Sequence, residues 1–248
     1  MNPRALAQAG AAALVTLAWT ARVLAYRPFD GTDADVAAAR ELEFEVGPLN
    51  YERQNAENLL IVPALVLNYG FAPRWEAVLE GRNRWPVQRS SRPEVEDVAL
   101  SVKSLLREGS LQGQSGLSIA IETGVLLPAS ERRFGVQLAG IASLSSPALT
   151  LHFNLGNALL TSLDDTVTAS LILEGPFAWR VRPVGEVLVE RDFAEPSVEH
   201  GFGVSELAGL IVSSGDELSF DLAYRHYHAR GVKDEQVRAG FTWAFEVR

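Results

Sequence analysis

The chain contains no cysteine, so neither a disulfide framework nor a thiolate metal site is open to it. Its residues are 47% hydrophobic. Yet no apolar run reaches the roughly 18 residues that a membrane-crossing helix needs. After the first residues no helix-period stretch and no fixed-length repeat occurs. Basic residues number 22 against 31 acidic ones, a net charge of −9. That balance lacks the basic face a nucleic-acid binder requires. No phosphate-cradling glycine loop is present: Gly201-Phe202-Gly203 lacks the third glycine and the βαβ setting. A Gly-x-Ser-x-Gly nucleophile motif is missing as well.

What is there begins with an export signal. Arg4 gives a positive start, Ala9 to Trp19 is apolar, and Val23-Leu24-Ala25 fits a small-x-small cleavage site. Residues 1–25 are therefore expected to be a cleaved signal peptide. Their removal takes away Arg4 and Arg22 and no acid, leaving 20 basic against 31 acidic residues, a charge of −11. Residues 26–39 show no strand pattern and are expected to form an N-terminal segment, a plug if the rest is a barrel. Residues 40–248 form that remaining body.

Val237 to Phe245 sets the pattern for that body. Val237, Ala239, Phe241, Trp243 and Phe245 share one face, against Arg238, Gly240, Thr242 and Ala244. This is a strand of period two with aromatics towards one end, as at the girdle of a membrane barrel. A C-terminal strand ending in aromatics is also what bacterial barrel-assembly machinery reads. Alone, the stretch fits a soluble sandwich as well.

Similar segments recur from Glu41 to Val46, Leu59 to Tyr69, Trp75 to Gly81, Val95 to Arg107, Leu117 to Leu127 and Phe134 to Ser143. They continue at Leu149–Gly156, Thr166–Glu174, Val181–Asp192, Gly201–Ser213 and Leu218–His228. With the last strand the count is twelve, an even number of segments of about ten residues, matching tilted crossings. Leu59 to Tyr69 is apolar on both faces, and the alternation breaks near Glu206. Arg82 to Glu94 reads as a surface loop. Connections after the second, eighth and tenth segments are short; those after the third, seventh, ninth and eleventh are longer and more polar. Lipid cannot satisfy an open sheet edge, so such a sheet must close. The expected fold is all-β: a closed antiparallel up-and-down transmembrane β-barrel of about twelve strands, in contact with outer-membrane lipid.

The polar faces then point into the lumen. The lumen-facing candidates are Glu43, Glu45, Glu76, Glu80, Lys103, Glu122, His152, Asn154, Glu174, Glu186, Glu190, Asp221, Arg225 and Arg238. With Glu41, ten acids on these faces outnumber Lys103, Arg107, Arg225 and Arg238, so the interior favours cations. Pairs such as Glu76/Glu80 and Glu186/Glu190 are about 13 Å apart along one strand, too far for direct acid/base work. The plainer expectation is that these acids pair with Lys103, Arg225 and Arg238, because an unpaired buried charge is costly. His226-x-His228 offers two imidazoles but reads as an interfacial position, so no metal and no cofactor is expected. His152 with Asn154 suggests the Ser/His/Asn set of twelve-stranded barrel lipases. No serine stands in a comparable motif with His152, so no catalytic residue is assigned and the chain is not expected to be an enzyme.

Several motifs occur together and in order. Pro63-Ala64-Leu65-Val66-Leu67-Asn68-Tyr69-Gly70 precedes Arg74-Trp75-Glu76, and Glu96-Asp97-Val98-Ala99-Leu100-Ser101-Val102-Lys103 follows. Then come Gly124-Val125-Leu126-Leu127-Pro128, Leu151-His152-Phe153-Asn154-Leu155-Gly156, Val184-Gly185-Glu186, Asp221-Leu222-Ala223-Tyr224-Arg225 and Gly240-Phe241-Thr242. In this the chain resembles the outer-membrane transporter-like family labelled "MetA-pathway of phenol degradation", over most of residues 40–245. The resemblance implies an outer-membrane barrel that passes small molecules, aromatic or apolar ones among them. Ala64, Val66 and Asn68 stand where members often carry charge, implying a less polar wall there. The functional expectation is a passive channel for an unidentified solute. The alternatives are a non-conducting structural or ligand-sensing barrel and, less favoured, a lumen-rim lipid hydrolase.

Overall fold

The computed structural model describes residues 27–87, 92–129, 134–161, 165–193, 201–229 and 231–247. The signal-peptide expectation for residues 1–25 lies outside them, as does Tyr26. The strands are β1 (Glu41–Gly47), β2 (Asn50–Gln54), β3 (Glu57–Ala72), β4 (Trp75–Pro86), β5 (Glu94–Arg107), β6 (Ser118–Leu126) and β7 (Gly135–Ser145). They continue with β8 (Thr150–Leu160), β9 (Asp165–Glu174), β10 (Val181–Asp192), β11 (Phe202–Ser213), β12 (Leu218–Ala229) and β13 (Val232–Glu246). Each pairs antiparallel with its sequence neighbour. Both β1 and β2 lie between β3 and β13, so they are two halves of one strand and close the sheet. The result is a closed, antiparallel, twelve-stranded barrel.

The polarity is inside out. Lys103, Glu45, Glu76, Asn68, His152 and Thr242 are almost wholly enclosed, Lys103 being 1% exposed. Leu155 and Leu222 on the outer face are 53% and 57% exposed, in company with Leu65, Leu79, Leu100, Val187 and Phe220. Water outside would leave such a belt unsatisfied, and hydrocarbon does not. Leu155 lies mid-strand, paired with Gly140 and Ala169. Leu155→Arg is expected to destabilise the barrel in lipid vesicles by about 2–4 kcal/mol, read from urea unfolding. A barrel whose outer face met water would tolerate it.

Local departures from the sequence expectation have physical reasons. The apolar character of both faces around Leu59 to Tyr69 comes from a bulge. The register shifts between Ile61 and Ala64, so Leu59 and Ile61 point inwards below it and Ala64, Val66 and Asn68 above it. One extra residue flips the parity. Near Glu206 the alternation breaks because Glu206 faces outwards, opposite His226. The half-strand β2 was not expected: Pro48 interrupts the pattern and Asn50–Gln54 has no apolar face. At the break, the Asn50 Oδ1 accepts the Ala239 N–H (3.1 Å) in place of a ladder bond. The loop expected over residues 82–94 begins later, since β4 runs to Pro86, and β5 starts at Glu94. Likewise β12 ends at Ala229 and β13 starts at Val232, so the expected long connection there is a tight hairpin. These strands continue past the apolar belt with polar residues, where lipid-type alternation no longer marks them.

Candidate functional site

The barrel interior is occupied by its own N-terminal segment, residues 27–39. The wall supplies acceptors for its backbone. Glu45 accepts the Arg27 N–H (3.1 Å), and the two oxygens of Glu186 accept those of Asp30 and Gly31 (2.7 and 2.8 Å). Asn154 Oδ1 accepts the Thr32 N–H (3.1 Å) while its amide donates to the Thr32 carbonyl (2.9 Å). Ser143 Oγ takes the Ala34 N–H (2.9 Å), Glu76 that of Ala37 (2.5 Å), and Glu41 that of Ala38 (2.8 Å). A chain without secondary structure has orphaned N–H groups, and burying them unpaired is costly. The inward carboxylates and amides remove that cost.

Ion pairs add to the hold. Asp30 meets Arg225 at 2.7 Å and Arg238 at 2.6 Å, and the Arg238 guanidinium also donates to the Pro28 carbonyl (2.8 Å). Burial would raise the Asp30 pKa, but the two guanidiniums outweigh it and hold the carboxyl well below the usual carboxylate range. Arg27 pairs with Asp221 at 3.3 Å, and Lys103 with Asp33 at 3.6 Å. The segment packs so closely that a side chain at Gly47 would sit 2.7 Å from the Arg27 guanidinium; at Gly70 it would overlap the carbonyls of Ala37 and Ala38.

The sequence-derived candidates therefore lie as follows. Glu45, Glu76, Asn154 and Glu186 hold segment backbone; Lys103, Asp221, Arg225 and Arg238 pair with segment charges. Arg225 also reaches Asp234 at 3.3 Å. The expected pairing of wall glutamates with Arg225 and Arg238 is replaced by pairing with Asp30, which the sequence pattern did not single out. Glu43 is buried on β1 beside Glu45. Glu190 accepts from the Tyr227 hydroxyl. Glu76, Lys103 and Glu122 stand abreast on β4, β5 and β6.

His152 has a serine after all. The cross-strand register puts Ser143 opposite it, with Ser143 Oγ 2.8 Å from Nδ1 and Glu174 Oε1 3.0 Å from Nε2. Arg182 stands 3.6 Å from the other Glu174 oxygen. Ser143 is fully enclosed and its oxygen already accepts the Ala34 N–H. Glu174 can only accept, so with a neutral ring the Nε2–H donates to Glu174 and the Ser143 hydroxyl donates a hydrogen bond to Nδ1. In this arrangement the Ser-His-Glu chain latches the segment rather than presenting a nucleophile.

Beyond the segment the lumen opens into a cavity of about 390 Å³. Phe29, Asp30, Gly31 and Thr32 form one side of it, and Glu45, Asn68, Glu76, Glu80, Glu122 and Asn154 are among the wall residues. A second cavity of about 280 Å³ shares Arg27, Phe29, Asp30, Val66 and Glu80 with it and extends to Arg82 and Asp97. Among the described residues no group of three or more His, Asp or Glu is placed to hold a metal ion.

No protein-family model and no curated protein matches the chain. Solved structures do match it. An outer membrane channel from Pseudomonas putida F1, described as COG4313, aligns at a TM-score of 0.65 and 9% identity, covering 88% of this chain and 100% of that one. The NanC porin aligns at 0.58 and 8% identity, covering 82% and 98%. The KdgM porin aligns at 0.52 and 11% identity, covering 83% and 99%. At such identities the likeness is one of fold, and the fold of this chain is that of an outer-membrane β-barrel.

Proposed function

We propose that the chain is a channel of the bacterial outer membrane that passes small molecules and is held shut by its N-terminal segment. The observation that carries this reading is the segment itself: residues 27–39 cross the lumen and are held by wall side chains that would otherwise line a water-filled path. The apolar outer belt supports placement in lipid, after export and insertion by barrel-assembly machinery. The motifs in Pro63–Gly70, Glu96–Lys103 and Leu151–Gly156, together with the channel fold, support membership of the outer-membrane transporter-like group named for the MetA pathway. That group implies small aromatic or apolar solutes. The excess of inward carboxylates supports a preference for cations. No enzymatic step is part of this reading, since Ser143 is committed to the segment.

The closed lumen favours one rival, a sealed structural or ligand-sensing barrel. Planar-bilayer recording of the full chain separates the two. Brief, discrete, cation-selective steps are expected of the channel. Silence from protein shown to be folded overturns the channel and leaves the sealed barrel.

A further inference from the structure

The larger of the two lumen cavities is lined by more acids than cations. Glu45, Glu76, Glu80 and Glu122 line it. Two of its enclosed acceptors, Glu76 Oε1 and Asn68 Oδ1, have no hydrogen-bond partner among the described residues, although both side chains are 1% exposed. Of the two cations lining it, Lys103 on the wall turns to Asp33 and Thr32, while Arg27 on the segment turns its Nε to Asp221 and leaves Nη2 without a hydrogen-bond partner among the described residues. A buried acceptor without a donor is costly, and a ligand that brings donors removes the cost.

We propose that this cavity binds a small organic ammonium compound with a short apolar body, an assignment that rests on the channel reading for its biological role. An ammonium group carries three N–H donors and no acceptor, the complement of this wall. Its charge meets a surplus of carboxylates, which would repel a carboxylate or phosphate ligand. A metal ion is a poorer match, because the acids are spread around the wall and not gathered into a ligand set. The body of the compound has Phe29, Val66, Val78, Ala139 and Leu188 to lie against. At about 390 Å³ the cavity falls within the size class, roughly 300–1,000 Å³, that encloses small ligands.

The test is calorimetric titration of the refolded full chain in detergent micelles at pH 8, with empty micelles as blank. The probes are phenethylamine, its neutral counterpart 2-phenylethanol and the anion phenylacetate. Saturable one-to-one binding is expected for phenethylamine alone. Glu80→Gln/Glu122→Gln removes two charges that hold no segment backbone and is expected to weaken binding about tenfold or more, because hydrogen bonds to charged groups are the strong ones. Ala139→Phe, which fills the cavity and keeps every charge, is expected to weaken it as well, so the proposal stays testable if the charge variant does not fold. Equal binding of 2-phenylethanol, parental affinity in a folded variant, or no binding of phenethylamine above the micelle blank overturns the site. Amine binding by a barrel that never conducts leaves the site standing and removes the channel. Conductance with no amine binding does the reverse.

Discussion

Planar bilayers holding Asp30→Asn protein are expected to show longer openings where the parent shows brief ones, with open probability raised about tenfold. Asp30 is the anion between Arg225 and Arg238, at 2.7 and 2.6 Å. The pair stands in the lumen with its side chains 12–21% exposed, so water screens it in part. Its loss lies between the cost of a surface pair and that of a buried one, about 1.5 kcal/mol. Each 1.4 kcal/mol is a factor of ten, hence about tenfold. The cost falls on the docked segment and not on the barrel. With the segment withdrawn, both guanidiniums meet lumen water, and the β12–β13 ladder that carries them is unchanged.

Acid does not imitate the variant. The Asp30 pKa is depressed in the docked state, so its stabilisation is present throughout and above the ordinary carboxylate range. It is lost only as the pH falls through the depressed value. The ratio of Asp30→Asn to parental open probability is therefore expected to be the same at pH 5 as at pH 7. Hydrogen exchange of residues 27–39 supplies the second readout. An Asp30→Asn protein with parental currents and a segment still protected from exchange would sink the gating role of the ion pair.

The parts of the fold legible in the sequence are those that lipid enforces. A residue facing hydrocarbon must be apolar and its neighbour facing the lumen is free to be polar, so β10 announces both its extent and its faces, and β8 its faces though not its end at Leu160. Where lipid stops, so does the signal. The polar ends of β12 and β13 and the half-strand β2 lie under no such constraint and read as loop. Inward placement of Glu45, Glu76, Glu186 and Arg238 follows from parity alone. Their partners do not, because those lie in a segment with no periodicity. Asp30-Gly31-Thr32-Asp33-Ala34 carried one clue: small residues that pack closely, and acids matching the inward Lys103, Arg225 and Arg238. Ser143 and His152 meet only through the β7–β8 register, a tertiary fact that neither strand's own sequence states.

Lys103→Met is expected to lower the stability of the folded barrel in vesicles by about 3–5 kcal/mol, read as an earlier urea midpoint in tryptophan fluorescence. Lys103 is among the largest wholly enclosed side chains, and its ammonium is the cation nearest a group of acids. Asp33 lies 3.6 Å away; Glu76 and Glu122 flank it in register on the adjoining strands. Methionine keeps most of the volume, so the loss reports charge and not a void. Adding Glu76→Gln is expected to restore part of it: the amide oxygen of glutamine still accepts the Ala37 N–H, and one stranded carboxylate disappears. The double-mutant cycle then gives a coupling of the sign that an ion pair requires. A Lys103→Met barrel as stable as the parent, or a double variant whose loss is the sum of the two singles, would show that the lysine is not what makes this acidic wall tolerable.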